Sequence, residues 1–437
     1  MKQVLVIGAA RSGIAAAKLL QRHGYHVTIT DQKEIPEKEQ LKEKGIEVYD
    51  QGHPDILKTI HWDFIVKNPG IPYHVPFIHH FVQQKVNIIT EIELAYRYGK
   101  YLRYGAITGT NGKTTITSML YAMLKKKGEA IAAGNIGLPL SEYVYEHEDI
   151  SCDVALELSN FQLLGIDTFT PQVSVVCNLA PDHLDYMKDV DAYYESKMRI
   201  YKNCTKEHFF LRNVDDPLIM RYAQNIPCSI LDFSLVRQDV DVYRKNGVVY
   251  FKDIPLFQEA QLKIVGEYNL SNAMIAACMA YILGVSLTHI QEVIATFAPI
   301  EHRLEYVGEK QGVRFYNDSK ATNPHATAAA LAAFHQKIIL LAGGYDKGIS
   351  FDELNVYDKG IKHCFSFGQT KDQFSSVFSH VTINDTLQTA LQKAIEMAKE
   401  GDCILLSPAC ASYDQFHSYE ERGKIFKELV KQYLNKQ

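Results

Sequence analysis

The strongest chemical signal in the chain is the run Gly109-Thr110-Asn111-Gly112-Lys113-Thr114-Thr115. A glycine-rich turn between a strand and a helix lets successive backbone N–H groups wrap a phosphate, and the helix N-terminus adds its positive end. Lys113 would neutralise the β- and γ-oxygens of a bound triphosphate, and the Thr114 hydroxyl would ligate Mg²⁺. Position 107 is Ile, so the longer GxxxxGK[ST] pattern is not met and the shorter TGTNGKTT stands in its place. Glu157 lies inside the apolar run Val154–Leu158, where a carboxylate is costly unless a cation sits beside it. His183 follows a strand, and Lys197 lies in the helical segment Tyr193–Tyr201. Taken alone, those two read as solvated side chains.

Two further groups of residues draw attention by position. Gly8-Ala9-Ala10-Arg11-Ser12-Gly13 matches GxGxxG with Ala at the middle glycine, and Asp31 ends the next strand, placed to accept from a ribose or a pyrimidine edge. A nucleotide-like ligand other than a standard dinucleotide fits that turn. Toward the C-terminus, Asp318 and Lys320 follow one strand, Gly343–Lys347 a second, and Ser407–Ser412 a third. In a doubly wound parallel sheet such loops share one edge, where ligands bind. Two lysines, an aspartate and a serine there make an anion-binding surface.

The elements that must hold these residues are legible from periodicity. Strands are expected at Val4–Ile7, Val27–Thr30, Tyr104–Thr108, Val154–Leu158 and Val173–Asn178, then at Val313–Tyr316, Ile338–Ala342, Cys364–Phe367 and Cys403–Leu406. Helices are expected to about Arg22, through Lys127 with Gly128 as the stop, from Asn269 to Ile282, and over Asp385–Lys399 with Gly401 ending it. The alternation predicts an α/β protein of three domains. These are a Rossmann-like domain over 1–93, a central P-loop-type ATPase domain over 94–298 and a doubly wound Rossmann-like domain over 299–437. Composition agrees: 437 residues, 46% hydrophobic and 22% charged, exclude a disordered chain. A net charge of −5 argues against a nucleic-acid or anionic-membrane partner. No apolar stretch reaches the roughly 18 residues needed for a bilayer span, and the apolar segment after Lys2 reads as strand and turn rather than a leader. Eight cysteines without CxxC pairing read as reduced core thiols of a cytoplasmic protein.

Together, TGTNGKTT, Asn317–Asn323 (NDSKATN) and Ser407–Phe416 (SPACASYDQF) resemble the Mur ligases, the ATP-dependent amino-acid-adding enzymes of peptidoglycan precursor synthesis. The resemblance runs along essentially the whole chain. The phosphate loop is common to the superfamily, including folylpolyglutamate synthetase, whereas the two C-terminal motifs resemble its D-glutamate-adding members.

What the resemblance implies can be carried over residue by residue. Gly109, Thr110, Asn111, Gly112, Lys113, Thr114, Thr115, Asn269, Asn272, Arg303 and Asp318 would contact ATP. Lys113, Glu157, His183, Lys197 and Lys320 would be catalytic. Two Mg²⁺ ions would be held by Thr114, Glu157, His183 and Lys197, the last carrying CO₂ as a carbamate. Arg11, Ser12, Asp31, Gln32, Lys33, Gly70 and Asn135 would bind a UDP-sugar, and Thr322, Lys347, Ser412 and Tyr419 would surround D-glutamate. The resemblance further implies a cytoplasmic monomer working on small molecules by way of an acyl phosphate, with closure of the C-terminal domain during turnover. Other readings are a ligase for a different amino acid or for folate, and a non-catalytic nucleotide-binding regulator. Ala10 and the phosphate loop argue against an NAD-dependent oxidoreductase.

Overall fold

Aliphatic runs such as Gln3–Ile7 (QVLVI), apolar on both faces, form strands that are covered on both sides. In the computed structural model the described residues are 2–182, 187, 189–264, 266–298, 301–334 and 336–435. Five parallel strands make the first sheet, in the order Glu47–Tyr49, His26–Thr30, Gln3–Ile7, Phe64–Lys67 and Ile88–Ile89. The helix Arg11–Arg22 makes the first crossover.

The second sheet has nine strands. Leu102–Thr108 lies between Cys152–Glu157 and Val173–Val176, all parallel, and Ala130–Gly134 closes the edge beyond Cys152–Glu157. On the other side follow Phe209–Asn213, Ser229–Ser234 and Val242–Lys245, then Val248–Phe251 and Ile254–Gln258, which are antiparallel. The third sheet has six strands, in the order Glu305–Lys310, Val313–Asn317, Cys403–Leu406, Ile338–Gly343, Ile361–Phe367 and Val381–Ile383. Alternation along Ile338–Gly343 sends Ile338, Leu340 and Ala342 into one core and Ile339 and Leu341 into another, as a sheet wound on both faces requires.

These are the three α/β sheets the periodicity predicts, with one correction. The third sheet is mixed, not purely parallel, because Glu305–Lys310 pairs antiparallel with Val313–Asn317 at its edge; the second sheet, for which no strand direction is expected from sequence, likewise closes on an antiparallel meander. Both departures are hairpins on exposed edges, where strands are half-buried and carry no long apolar run. The chain forms two compact units. One comprises 1–179, 191–261 and 272–294 and carries the first two sheets; the other comprises 180–190, 262–271 and 295–437 and carries the third. All eight cysteines are free and buried. Among the described residues no helix is long and apolar enough to cross a membrane.

Candidate active site

The phosphate loop is built as the sequence requires. Strand Leu102–Thr108 runs into Gly109 (φ 141°) and Gly112 (φ 85°), backbone conformations that favour glycine, and the helix Lys113–Lys127 begins at once. A Cβ on Gly112 would stand 2.5 Å from Asn272 Oδ1, so that asparagine packs directly on the turn. The Lys113 ammonium curls back onto its own loop, donating to Gly109 O at 3.0 Å and Thr110 O at 2.9 Å. Lys197 is 1% exposed, not solvated, and donates to the same Gly109 carbonyl at 2.9 Å. Its ammonium also lies over the Tyr193 ring.

Glu157 is placed by register: it pairs with Ile107, just before the loop, and with Gly134 on its other side. It is 1% exposed; Oε1 accepts from Asn135 Nδ2 at 2.9 Å, while Oε2 is buried with no hydrogen-bond partner among the described residues. An orphaned carboxylate oxygen beside a phosphate loop fits a divalent cation, which prefers oxygen ligands. His183 lies outside the described residues. Cys177 sits under the loop, its thiol donating to Thr108 O, and burial pushes it up to about 12, so it takes no part as a nucleophile.

The N-terminal turn explains its own departure from GxGxxG. Gly8 has φ 97°, and a Cβ on Gly13 would lie 1.9 Å from Gly8 O, so both glycines are needed. Ala10 caps the helix at φ −70° and ψ 174°, an extended conformation open to any residue. Next to this turn lie two cavities of about 400 and 500 Å³ that share Ala10, Asn68 and Gly70. Arg11, Ser12 and Asn135 line the first, and Asp31, Gln32 and Lys33 the second. The Asp31 carboxylate is already engaged by backbone, accepting from Ala9 N at 2.6 Å and Lys33 N at 2.9 Å. It thus shapes the turn as well as facing the cavity. Arg11, exposed, pairs with Glu142 at 2.9 Å.

Several residues in and behind the cavity walls escape sequence reasoning. Buried Lys67 donates to Asn68 O at 3.0 Å and Ile71 O at 2.7 Å, pinning the loop between the cavities, and burial pushes its ammonium down to about 8. His53 stacks on Phe77 at 4.3 Å. Glu91 is buried against the Ser141 N–H, and desolvation raises its carboxyl to about 7. Ser159 and Gln162 also line the first cavity and form a reciprocal helix cap directly after Glu157. That Ser-x-x-Gln spacing is the one sequence signal that points to them.

In the second unit, the ends of three adjacent parallel strands present the expected loops. Asp318 accepts from Ser407 Oγ at 2.8 Å and Leu304 N at 3.2 Å, and its burial raises the carboxyl to about 7. Arg303 Nε is buried without a hydrogen-bond partner among the described residues, an open donor that suits an anionic ligand. Lys320 lies over the Tyr419 ring at 5.0 Å, and Lys347 pairs with Asp182 at 2.9 Å. Ser412 is buried, Thr322 and Tyr419 are half-buried, and Asn269 is buried at the start of helix Glu267–Ile282. The structure thus gathers the phosphate-loop and sugar-cavity sets in one unit, with Asn272. Asn269, Arg303, Asp318, Lys320 and the expected amino-acid set are in the other.

Comparison with known proteins matches three domains along the chain. Residues 2–90 match the Mur ligase MurD-like N-terminal domain, 107–280 the Mur ligase middle domain, and 302–410 the Mur ligase glutamate ligase domain. The chain is similar to the UDP-N-acetylmuramoylalanine--D-glutamate ligase of Geobacillus kaustophilus, with 42% identity covering 97% of this chain and 96% of that protein. It is likewise similar to the enzyme of that name from Enterococcus faecalis, with 41% identity over 99% and 97%. Among solved structures, the fold is shared with a pseudomurein peptide ligase type C from Methanothermus fervidus (TM-score 0.62, 20% identity, 99% and 100% covered). It is shared also with the MurF ligase from Thermotoga maritima in complex with ADP (TM-score 0.61, 15% identity, 96% and 99% covered). With relatives this similar along nearly its whole length, the chain belongs to the Mur ligase family.

Proposed function

We propose that this chain is the ATP-dependent ligase that joins D-glutamate to UDP-N-acetylmuramoyl-L-alanine in peptidoglycan precursor synthesis. The observation that carries the reading is the full-length identity of about 40% to ligases of that name. The geometry supports it with a phosphate loop, two adjoining cavities beside the N-terminal turn and a loop edge that carries Arg303, Lys320 and Lys347. The domain limits are 1–93, 94–298 and 299–437, and the protein works as a cytoplasmic monomer on small molecules.

In the reaction, the alanyl carboxylate attacks the γ-phosphorus of ATP, giving an acyl phosphate and ADP. The amine of D-glutamate then adds to the acyl carbon, and the tetrahedral adduct expels phosphate as the amide forms. The loop 109–115 and Lys113 hold the triphosphate and spread the charge that develops on it, so catalysis is mainly positioning and electrostatics. Asn269, Asn272, Arg303 and Asp318 orient the nucleotide. Arg11, Ser12, Asp31, Gln32, Lys33, Gly70 and Asn135 hold the UDP-sugar. Thr322, Lys347, Ser412 and Tyr419 hold D-glutamate, and Lys320 faces the transferring groups.

Thr114, Glu157, His183 and Lys197 would hold two Mg²⁺ ions, which supply charge neutralisation on the phosphates. Lys197 fits a carbamate on physical grounds. Two ammonium groups, of Lys113 and Lys197, share the Gly109 carbonyl and repel each other. Loss of a proton from the Lys197 ammonium, then addition of CO₂ to the amine with loss of a second proton, would turn one of the two cations into a carbamate anion.

The test is phosphate release from ATP with the sugar nucleotide across D-glutamate, L-glutamate, glycine, L-lysine and diaminopimelate. Release that requires both the sugar nucleotide and D-glutamate is expected. Release with another amino acid overturns the specificity; none with any, from folded protein with Mg²⁺ and bicarbonate, overturns the enzyme.

A further inference from the structure

Arg422, in the first turn of helix Tyr419–Asn435, is the largest fully buried side chain among the described residues. Its contacts link loops that are far apart in sequence. Nη2 donates to Ser319 O at 2.7 Å and Nε to Ser319 Oγ at 3.0 Å, which ties it to the loop carrying Lys320 and Thr322. Nη1 donates to Cys410 O at 3.0 Å and Ala411 O at 3.2 Å, directly before Ser412. The third loop joins through the same carbonyl, since Tyr345 N donates to Ala411 O at 2.9 Å two residues before Lys347. Ser319 Oγ in turn donates to Tyr419 O at 2.8 Å.

None of these partners is a carboxylate, and among the described residues no ion pair reaches the guanidinium. Asp318 and Asp414 act on it only through space. A fully buried cation answered by neutral dipoles is expensive. It therefore needs a reason beyond folding. The loops it joins are those to which the proposed function assigns D-glutamate, a dicarboxylate.

We infer that Arg422 is the positioning residue of the amino-acid site: its planar fork sets the spacing of the three loops, and its charge lies beneath the place where the two substrate carboxylates bind. This rests on the proposed function, and it goes beyond it in assigning part of the affinity for a dicarboxylic amino acid to a residue set behind the loops that hold it. Lysine has neither the five donors nor the fork, so Arg422→Lys keeps the charge and loses the brace.

The experiment is steady-state kinetics of Arg422→Lys and Ser319→Ala, the second being a small change that leaves the guanidinium in place, each checked for native circular dichroism. The expected result is a KM for D-glutamate raised about tenfold or more in Arg422→Lys and several-fold in Ser319→Ala, with KM for ATP and for the sugar nucleotide within twofold of wild type. Equal rises in all three KM values, or a lower kcat with KM for D-glutamate unchanged, overturn the inference. If Arg422→Lys does not fold, Ser319→Ala decides by the same criterion. Wild-type enzyme that does not use D-glutamate overturns the proposed function and this inference with it; normal wild-type use with unmoved KM values in the variants overturns this inference alone.

Discussion

Among the described residues Lys113 has no anion for a partner; its ammonium is parked on two carbonyls of its own loop. Lys113→Ala therefore leaves the fold intact and removes a charge that the triphosphate uses, with ADP formation expected to fall by about 10²–10³. Retained wild-type ADP release would refute the loop assignment. Lys197→Ala is expected to lose turnover and regain part of it with millimolar short-chain carboxylic acids that fill the place of the carbamate. Absence of rescue in folded protein argues for an ordinary amine at that position. Two buried carboxyls make a pH prediction. Burial raises Glu91 and Asp318 to about 7, so between the ordinary carboxylate range and pH 7 the folded state binds protons that the unfolded chain has released. Stability must then fall as pH rises through that interval. Glu91→Gln and Asp318→Asn are each expected to melt above wild type at pH 8, by an amount on the order of a few kcal/mol at most, and to lose most of that difference at pH 5. Melts that do not differ with pH would show that neither carboxyl carries this penalty.

At the level of elements, strands such as Gln3–Ile7 and Leu102–Thr108 are legible because they are largely buried on both faces and run into glycines, Gly8 and Gly109, whose φ of 97° and 141° favours that residue. Gly13→Ala tests this: a methyl 1.9 Å from Gly8 O cannot be accommodated, and a loss of about 2 kcal/mol or more is expected in chemical denaturation. Gly112→Ala combines a φ of 85° with a methyl 2.5 Å from Asn272 Oδ1, so weakened ATP binding with unaltered sugar-nucleotide binding is expected by calorimetry. The hairpins were not read from sequence, although one carries a signal. Asn246-Gly247, at φ 50° and 72°, joins Val242–Lys245 to Val248–Phe251 as an Asn-Gly turn does. Of the other two turns, Gln311-Gly312 has the same signs of φ but a glutamine that announces nothing, and Lys252-Asp253 opens on a lysine at φ 54°. The site divides in the same way. Lys113, Glu157 and Lys347 stand out by residue type and position. Lys197 looks solvated until tertiary packing buries it, and Arg422, Lys67 and Glu91 are ordinary helix or strand residues whose roles arise from burial alone.

On the scale of the whole molecule, the two units offer separate reporters. Trp62 is the single tryptophan, buried in the first sheet's core with Phe77 and Ile78, which also line the larger cavity. The thermal transition followed by its fluorescence is therefore expected to rise when the sugar nucleotide is added, by about 2.7 kcal/mol of stabilisation at a hundredfold excess over Kd, and not with D-glutamate alone. A shift with D-glutamate and none with the nucleotide would move the sugar site away from the first sheet. The buried thiols extend this reporting to both units. Cys152, Cys177, Cys204, Cys228 and Cys278 belong to one unit, and Cys364, Cys403 and Cys410 to the other. A colorimetric disulfide reagent therefore meets no ready target on the native enzyme, and each thiol it consumes marks an opening event. Peptide mapping of labelled cysteines would turn a by-product of core packing into a clock for the breathing of each half.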